Sequence, residues 1–229
     1  MARRSLEQER RRQLTTVAFE MLCNDGLAAT TLSRVAAEVG VSKGMVLHYF
    51  DGKEALFESV MLRLNARLRD DMIVMCQAAN SRMERLFGVI EANIAPTSFQ
   101  PRVCHAWLAL CAEVPLNDTY QRIQTVLHAR LQSNLMSGLP RSMSRAERWS
   151  AGLQLVTMID GLWLRNGLQT GPVARTQARE LITIATLQIL ATAGGGSEAR
   201  HAASKMQALA DARWPDITGS EVVAARSTD

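Results

Sequence analysis

Residues 31–50, TLSRVAAEVGVSKGMVLHYF, spell two short helices pinned by a tight turn. Thr31 is a good N-cap, and Val35 and Val39 fall one turn apart on one face of the first helix. Gly40 follows where the chain must leave that helix, in a left-handed conformation that glycine adopts cheaply. Ser42 can cap the second helix, along which Val46, Tyr49 and Phe50 continue the buried face. Ala36 is small where the second helix must cross closely. This is the sequence form of a helix-turn-helix, whose second helix can lie in the major groove of DNA. An ordinary helical hairpin with no ligand shares the apolar pattern. The residues that follow favour the first reading: Asp51-Gly-Lys-Glu54 predicts a further helix with Asp51 as N-cap, and Lys53 in its first turn, where free amides and a cation suit a phosphate.

Outside this stretch, composition constrains more than it identifies. The 229 residues carry a net charge of only +4, so bulk basicity is no argument for nucleic acid. Placement is: Arg3, Arg4, Arg10, Arg11 and Arg12 crowd the amino end, where phosphate contacts add salt-sensitive affinity without reading sequence. Glu7 and Glu9 partly neutralise the run, so a solvated helix start is the competing reading. No signal peptide is recognised, and no apolar run approaches the ~20 residues that span a bilayer. The four cysteines, Cys23, Cys76, Cys104 and Cys111, form no CxxC pair and no metal-ligand spacing. A reducing, cytoplasmic setting is the simple expectation.

The rest of the chain reads as helix throughout, giving an all-α fold. Ser5 with Gln8 suggests a capping box for a first helix that ends near Gly26. Leu56, Val60, Leu64 and Leu68 repeat every four residues in a long helix from Lys53 towards Ala79. Ser81 with Glu84 caps a helix that ends before Pro96. Pro101 begins another, Pro115 or Asp118 the next, and Gly138-Leu-Pro140 closes it. Ser144 with Glu147 is again a capping box, opening a helix to Gly167. Gly171-Pro172 separates that helix from one ending near Ala193. Three units are expected: a three-helix head over 1–52, a helical body over 53–193 and a flexible tail over 194–229. Within the tail, Glu198 to Arg213 reads as a weak helix. The last two strong helices of the body are apolar on more than one face, which predicts core on one side and a dimer interface on the other.

The body holds three of the four tryptophans, Trp107, Trp149 and Trp163. Trp163 stands three residues after Asp160, so the two share a helix face. An aromatic face beside a carboxylate suits a quaternary ammonium, which is drawn to the ring quadrupole and donates no hydrogen bond. The plainer alternative makes both rings core and pairs Asp160 with Arg165 or a backbone amide. A catalytic reading finds no support. None of His48, His105, His128 and His201 sits in a Glu-x-x-His pair, no nucleophile elbow is present, and no cofactor site is read.

The run Gly40-Val41-Ser42-Lys43-Gly44, with Gly26, Thr31, Ala36, Tyr49-Phe50 and Lys53-Glu54-Ala55-Leu56, resembles the TetR family of bacterial ligand-responsive repressors. The match covers about the first 60 residues without a gap. It implies a homodimer on a pseudo-palindromic double-stranded operator, with half-sites about one helical turn apart or a small multiple of it. Carried over residue by residue, it places Thr31, Ser42, Lys43, Gly44, His48, Tyr49 and Lys53 at or near DNA. On that basis Thr31, Ser42, Lys43 and Lys53 are expected on phosphates, and Lys43, Met45 and His48 on the bases. Leu47 departs from the family, many of whose members carry a tyrosine there that stacks on the backbone. More thinly, Ala106-Trp-Leu-Ala109, Leu131 to Leu135 and Ile159 to Arg165 resemble choline-responsive members of the family. That resemblance implies Trp107, Asp160 and Trp163 as effector ligands, and repression of choline uptake and glycine betaine synthesis relieved by choline. A different amine, a hydrophobic effector, or a dimeric DNA-binding protein with no effector remain the alternatives.

Overall fold

The structure, a computed structural model, describes residues 2–194 and 196–215, with side chains from Leu6 onward. Among these residues there are ten α-helices and no strand. The head comprises α1 (Ala2–Ala29), α2 (Leu32–Val39) and α3 (Lys43–Tyr49). The body follows with α4 (Gly52–Ala78), α5 (Arg82–Asn93), α6 (Pro101–Glu113), α7 (Asp118–Gly138), α8 (Arg145–Leu168) and α9 (Arg175–Thr192). Last comes α10 (Gly196–Arg213). No helix among the described residues is long and apolar enough to cross a membrane.

Most helix starts have a visible cause. Thr31 Oγ1 accepts from Arg34 N and Ser42 Oγ from Met45 N, each at 3.2 Å. Ser81 caps Glu84 N at 3.1 Å, and Ser144 with Glu147 closes a full capping box. The start of α7 is decided by Asn117, whose Oδ1 accepts from Thr119 N and Tyr120 N, while Pro115 lies in a short 3-10 turn over Val114–Leu116. α1 is broken at Gly26, with φ 82° and ψ 177°, and one further turn reaches Ala29. Asp51 does not cap α4 through its side chain. It sits at φ −75°, ψ 77°, and Gly52 enters the helix at φ 86°. The predicted Ser5 box, Arg3 and Arg4 fall where side chains lie outside the described residues.

The buried side chains form two clusters. One joins Leu14, Ala18 and Leu22 of α1 with Val35, Val46 and Phe50 of the hairpin and with Leu56, Phe57, Val60 and Met61 of α4. It is completed by Val103, Ala106 and Leu110 of α6 and Tyr120 of α7, so the head packs onto the body rather than standing apart. The Tyr120 hydroxyl donates to Glu54 O at 2.9 Å across that seam. The second cluster is centred on α5, where Leu86, Phe87, Val89 and Ile90 are all buried although they follow almost consecutively. A helix apolar on so many sides needs neighbours all round. α4, α7, α9 and α10 provide them.

The weak helix expected over Glu198 to Arg213 is present, and it is docked on the body where a flexible tail was expected. There the chain forms α10, which lays Ala199, Ala202, Met206 and Ala210 against α5, with Trp214 buried beyond its end. Charge fixes the seam as well. Lys205 Nζ donates to Glu84 Oε2 at 2.7 Å, and Arg179 Nη2 donates at 2.8 Å to both Glu91 Oε2 and Asp211 Oδ1. Residues 216–229 of that tail lie outside the described residues. Met206 is fully buried against Gly88 and the end of α4. Its exchange for Ala is expected to cost about 2–5 kcal/mol, read as a lowered urea midpoint with an unchanged slope.

Candidate functional site

The hairpin and the body each bring together a set of side chains foreseen from sequence. In the hairpin, Gly40 sits at φ 74°, ψ 34°, and its own N–H and that of Val41 bond back to Ala37 O and Ala36 O. This turn sets α3 across α2, with Val46 and Phe50 buried beneath it. The opposite side of α3 is then solvent-facing by helical geometry: Ser42, Lys43, Gly44, Met45, Leu47 and His48 are exposed, as is Thr31 at the start of α2. Thr31 and Ser42 use a hydroxyl lone pair for capping, so each hydroxyl proton stays available to a phosphate oxygen. Tyr49 is half-buried, its ring edge-on to His48 with centroids 5.2 Å apart.

Two basic residues make contacts within the protein that were not read from the sequence. Lys53 Nζ donates to Leu27 O at 3.1 Å and lies 5.2 Å from the Phe57 ring centre, holding the α1–α2 connection to α4. Arg11, read as part of a phosphate arm, donates to Tyr49 O and lies over the Phe50 ring, 4.4 Å from its centre. It braces the end of α3 from α1. Its spacing from the hairpin carries no local signal, so sequence reasoning missed that role. Arg10 reaches Gln13 at 2.7 Å, and Arg12 lies 3.8 Å from Glu9 on the exposed side of α1.

In the body, Trp107, Asp160 and Trp163 line one cavity of about 200 Å³ among α4, α5, α6, α7 and α8. A close crossing makes it possible. A Cβ on Gly167 would stand 2.7 Å from the carbonyl carbon of Cys104, so glycine lets α8 press onto the backbone of α6. One turn back along α8, Trp163 then meets Trp107 edge-to-face, with centroids 6.4 Å apart at 75°. Trp163 is 6% exposed, and its indole N–H donates to Asn93 O at 2.9 Å, which fixes the ring plane. Leu62, Leu68 and Met72 of α4 and Leu131 of α7 supply apolar walls.

Asp160 is the carboxylate of this cavity, its side chain 48% exposed. Partial removal from water pushes its pKa above the ordinary carboxylate value, and the imidazole of His128 pulls the other way. His128 Nε2 lies 3.8 Å from Asp160 Oδ2 and accepts from the Gln124 amide nitrogen at 2.8 Å. Sequence reasoning did not single out this pair. Their i, i+4 spacing puts them on one face of α7, but only the fold brings that face to Asp160. Burial pushes the Cys111 thiol up to about 12, with Asp160 adding to the effect, and it pushes Cys104 up to about 12 as well. Both are therefore unionised at neutral pH.

A wider open groove of about 860 Å³ runs along the outer side of α8 and α9, edged by Ser150, Gln154, Gln188 and Thr192. Beside it Trp149, Leu153, Leu164, Leu181 and Ile184 are exposed.

Residues 14–60 match the family described as bacterial regulatory proteins, tetR family. Residues 82–191 match the BetI-type transcriptional repressor C-terminal family. The HTH-type transcriptional regulator BetI of Escherichia coli is 33% identical over 183 residues, covering 79% of this chain and 94% of that protein. BetI of Klebsiella pneumoniae is 32% identical over the same span. Among solved structures, a transcriptional regulator from a Rhodococcus species superposes with TM-score 0.70 at 19% identity, covering 80% of this chain and 96% of that one. A transcriptional regulator from Saccharomonospora viridis in complex with choline superposes with TM-score 0.66 at 17% identity, covering 77% and 95%. These structural likenesses establish the fold.

The different settings of the two lysines separate their expected effects. Exchanging Lys43, exposed on α3, for Ala is expected to reduce the slope of log affinity against log salt by about one without altering stability. Exchanging Lys53 for Ala is expected to lower the thermal midpoint too, because it releases the Leu27 carbonyl. Salt-dependent DNA titration beside thermal melting checks both.

Proposed function

The chain belongs to the TetR family of bacterial transcriptional regulators and carries a BetI-type C-terminal domain, and from that premise we propose that it represses genes of choline uptake and glycine betaine synthesis and is released by choline. The observation that carries this reading is the convergence of Trp107, Trp163 and Asp160 on one small cavity. A trimethylammonium group offers no hydrogen-bond donor, so ring faces and a nearby negative charge are what bind it. The size is also suited to a metabolite: drug-sized ligands occupy cavities of roughly 300–1,000 Å³, whereas this one is about 200 Å³. BetI relatives at 33% identity and the choline complex of a structural neighbour support the same ligand class.

In this reading the exposed face of α3 is the DNA reader. Lys43, Met45 and His48 face base edges, while Thr31, Ser42, Gly44 and Tyr49 approach the backbone, where Lys43 also meets a phosphate. Lys53 acts mainly by fixing the head to α4. The exposed apolar residues of α8 and α9 pair with the same face of a second copy, which gives a twofold dimer and a pseudo-palindromic operator. The unit boundaries follow: 1–52 reads DNA, and 53–193 senses and dimerises.

The signal runs along α4. Its middle lines the cavity with Leu62, Leu68 and Met72, and its first half carries the head through Leu56, Phe57 and Val60. A ligand shifts operator occupancy only if it binds the free and DNA-bound conformations with different affinity. Choline is expected to raise the thermal midpoint and weaken binding to a fragment from upstream of the protein's own gene, with Trp163→Ala abolishing both effects. A tight DNA complex that ignores choline, betaine aldehyde and glycine betaine would retain the repressor and remove choline as its effector. Release by a hydrophobic amine instead would identify the other ligand class.

A further inference from the structure

Asp160 already has a neighbour in the effector-free cavity. His128 Nε2 stands 3.8 Å from its Oδ2, and both side chains line the same space. The second contact of that imidazole is unusual. The Gln124 amide nitrogen donates to Nε2 at 2.8 Å, which requires Nε2 to be an acceptor and hence the ring to be neutral. In that arrangement Gln124 Oε1 is buried without a hydrogen-bond partner. A half-turn of the amide would present Oε1 to Nε2, but only if Nε2 carries a proton. Nε2 carries a proton both in the neutral Nε2–H tautomer and in the imidazolium, and what separates the states of the site is the net charge beside Asp160. With the ring neutral, in either tautomer, Asp160 faces the cavity without a compensating charge. With the ring doubly protonated, Nε2–H satisfies Gln124 Oε1, and the imidazolium charge lies against Asp160.

We propose that His128 is a specificity-determining residue of the effector cavity: its protonated ring competes with a cationic ligand for Asp160, so that cation binding expels one proton from the site. This rests on the reading of the cavity as a quaternary-ammonium site. The remaining charged and titratable groups around it do not supply that proton. Arg69 of α4 is held by Asp70 at 2.9 Å, and Arg130 of α7 is an exposed guanidinium that stays charged. Cys111 of α6 is held protonated by burial. Asp160 is the one other candidate, and the experiment must separate it from His128. Removing a net positive charge from the ring as the ligand arrives also keeps the cavity from holding two cations beside one carboxylate.

The consequence is a sign. A proton on the ring and a cationic ligand compete for the same carboxylate 3.8 Å away, so the ligand binds more tightly as the pH rises and less tightly as it falls. Choline itself gains or loses no proton near neutral pH. Calorimetric titration of the full-length protein with choline is expected to show affinity falling about tenfold from pH 7.5 to pH 5.5. Repeating it at pH 6 in two buffers of different ionisation enthalpy is expected to show net proton release. His128→Gln keeps an amide in place of the ring and is expected to flatten the profile and abolish the release. A slope that survives in His128→Gln assigns the proton to Asp160 and overturns the role of His128. Binding with no pH dependence and no proton release in the unaltered protein overturns it as well, while leaving the ammonium site intact. If no quaternary amine binds at any pH, the effector reading falls and this inference with it.

Discussion

The rest of the structure depends on α4 being buried at both ends in different cores. Its first half gives Leu56, Phe57, Val60 and Met61 to the head cluster, and Met75 near its end is buried in the cluster around α5. A helix anchored twice cannot tilt at one end without a displacement at the other, because close-packed interiors resist continuous deformation. The head has no private core that would uncouple it. Val103, Ala106, Leu110 and Tyr120 of the body complete the head cluster, and Tyr120 ties itself to the first turn of α4 through Glu54 O. Between the two anchors, the side of α4 that carries Leu62 and Leu68 forms a wall of the cavity. The cavity and the hairpin therefore share one rigid element.

The far anchor is held by more than apolar contact. Glu91 is buried on α5, and burial alone would raise its pKa well above the usual carboxylate range. The Arg179 fork from α9 meets it, and Asp211 of α10 accepts from the same guanidinium. Such a buried set is weak evidence of net stability, since desolvation offsets much of the attraction. Its effect is positional: removing one member strands a charge, so α5, α9 and α10 are held to one register. The helix beyond the residues matched by the BetI-type family, which end at 191, is thus built into the same core.

How much of this could be read beforehand follows physical range. Caps and turns act over three or four residues, and those at Thr31, Gly40, Ser42, Ser81 and Ser144 were all legible. Asp51 failed because the chain turns through Phe50 and Gly52 into a backbone conformation that leaves its carboxylate off the helix start. The glycine run at Gly194 points to a flexible tail, whereas the helix beyond it docks on the body. The contrary signal was present in α5, where Leu86, Phe87, Val89 and Ile90 leave little side for solvent and require one more helix than the body otherwise supplies. Trp107, Asp160 and Trp163 could be nominated from chemistry and helical spacing. His128, Gln124 and Arg11 could not, because each acts on a residue more than thirty positions away or depends on such a contact.

The cavity's modest size bears on how a small ligand could move so large a molecule. At about 200 Å³ it is bounded on one side by α4 and on the other by the Trp163 ring, which Asn93 O and the Gly167–Cys104 crossing hold in place. The Trp side is the stiffer wall, since backbone-to-backbone contact at Gly167 leaves nothing to compress. A ligand that presses or draws on the cavity therefore does so against α4, whose facing residues are leucine and methionine side chains with rotamer freedom. Tight binding alone would not suffice, because equal affinity for both arrangements shifts neither population. Under the proposed function, the effective ligand is one whose contacts to the fixed rings and to Asp160 are complete only when α4 has moved. The asymmetry of stiff and yielding walls would then make the aromatic pair on α6 and α8 a fulcrum for the hairpin at the other end of α4.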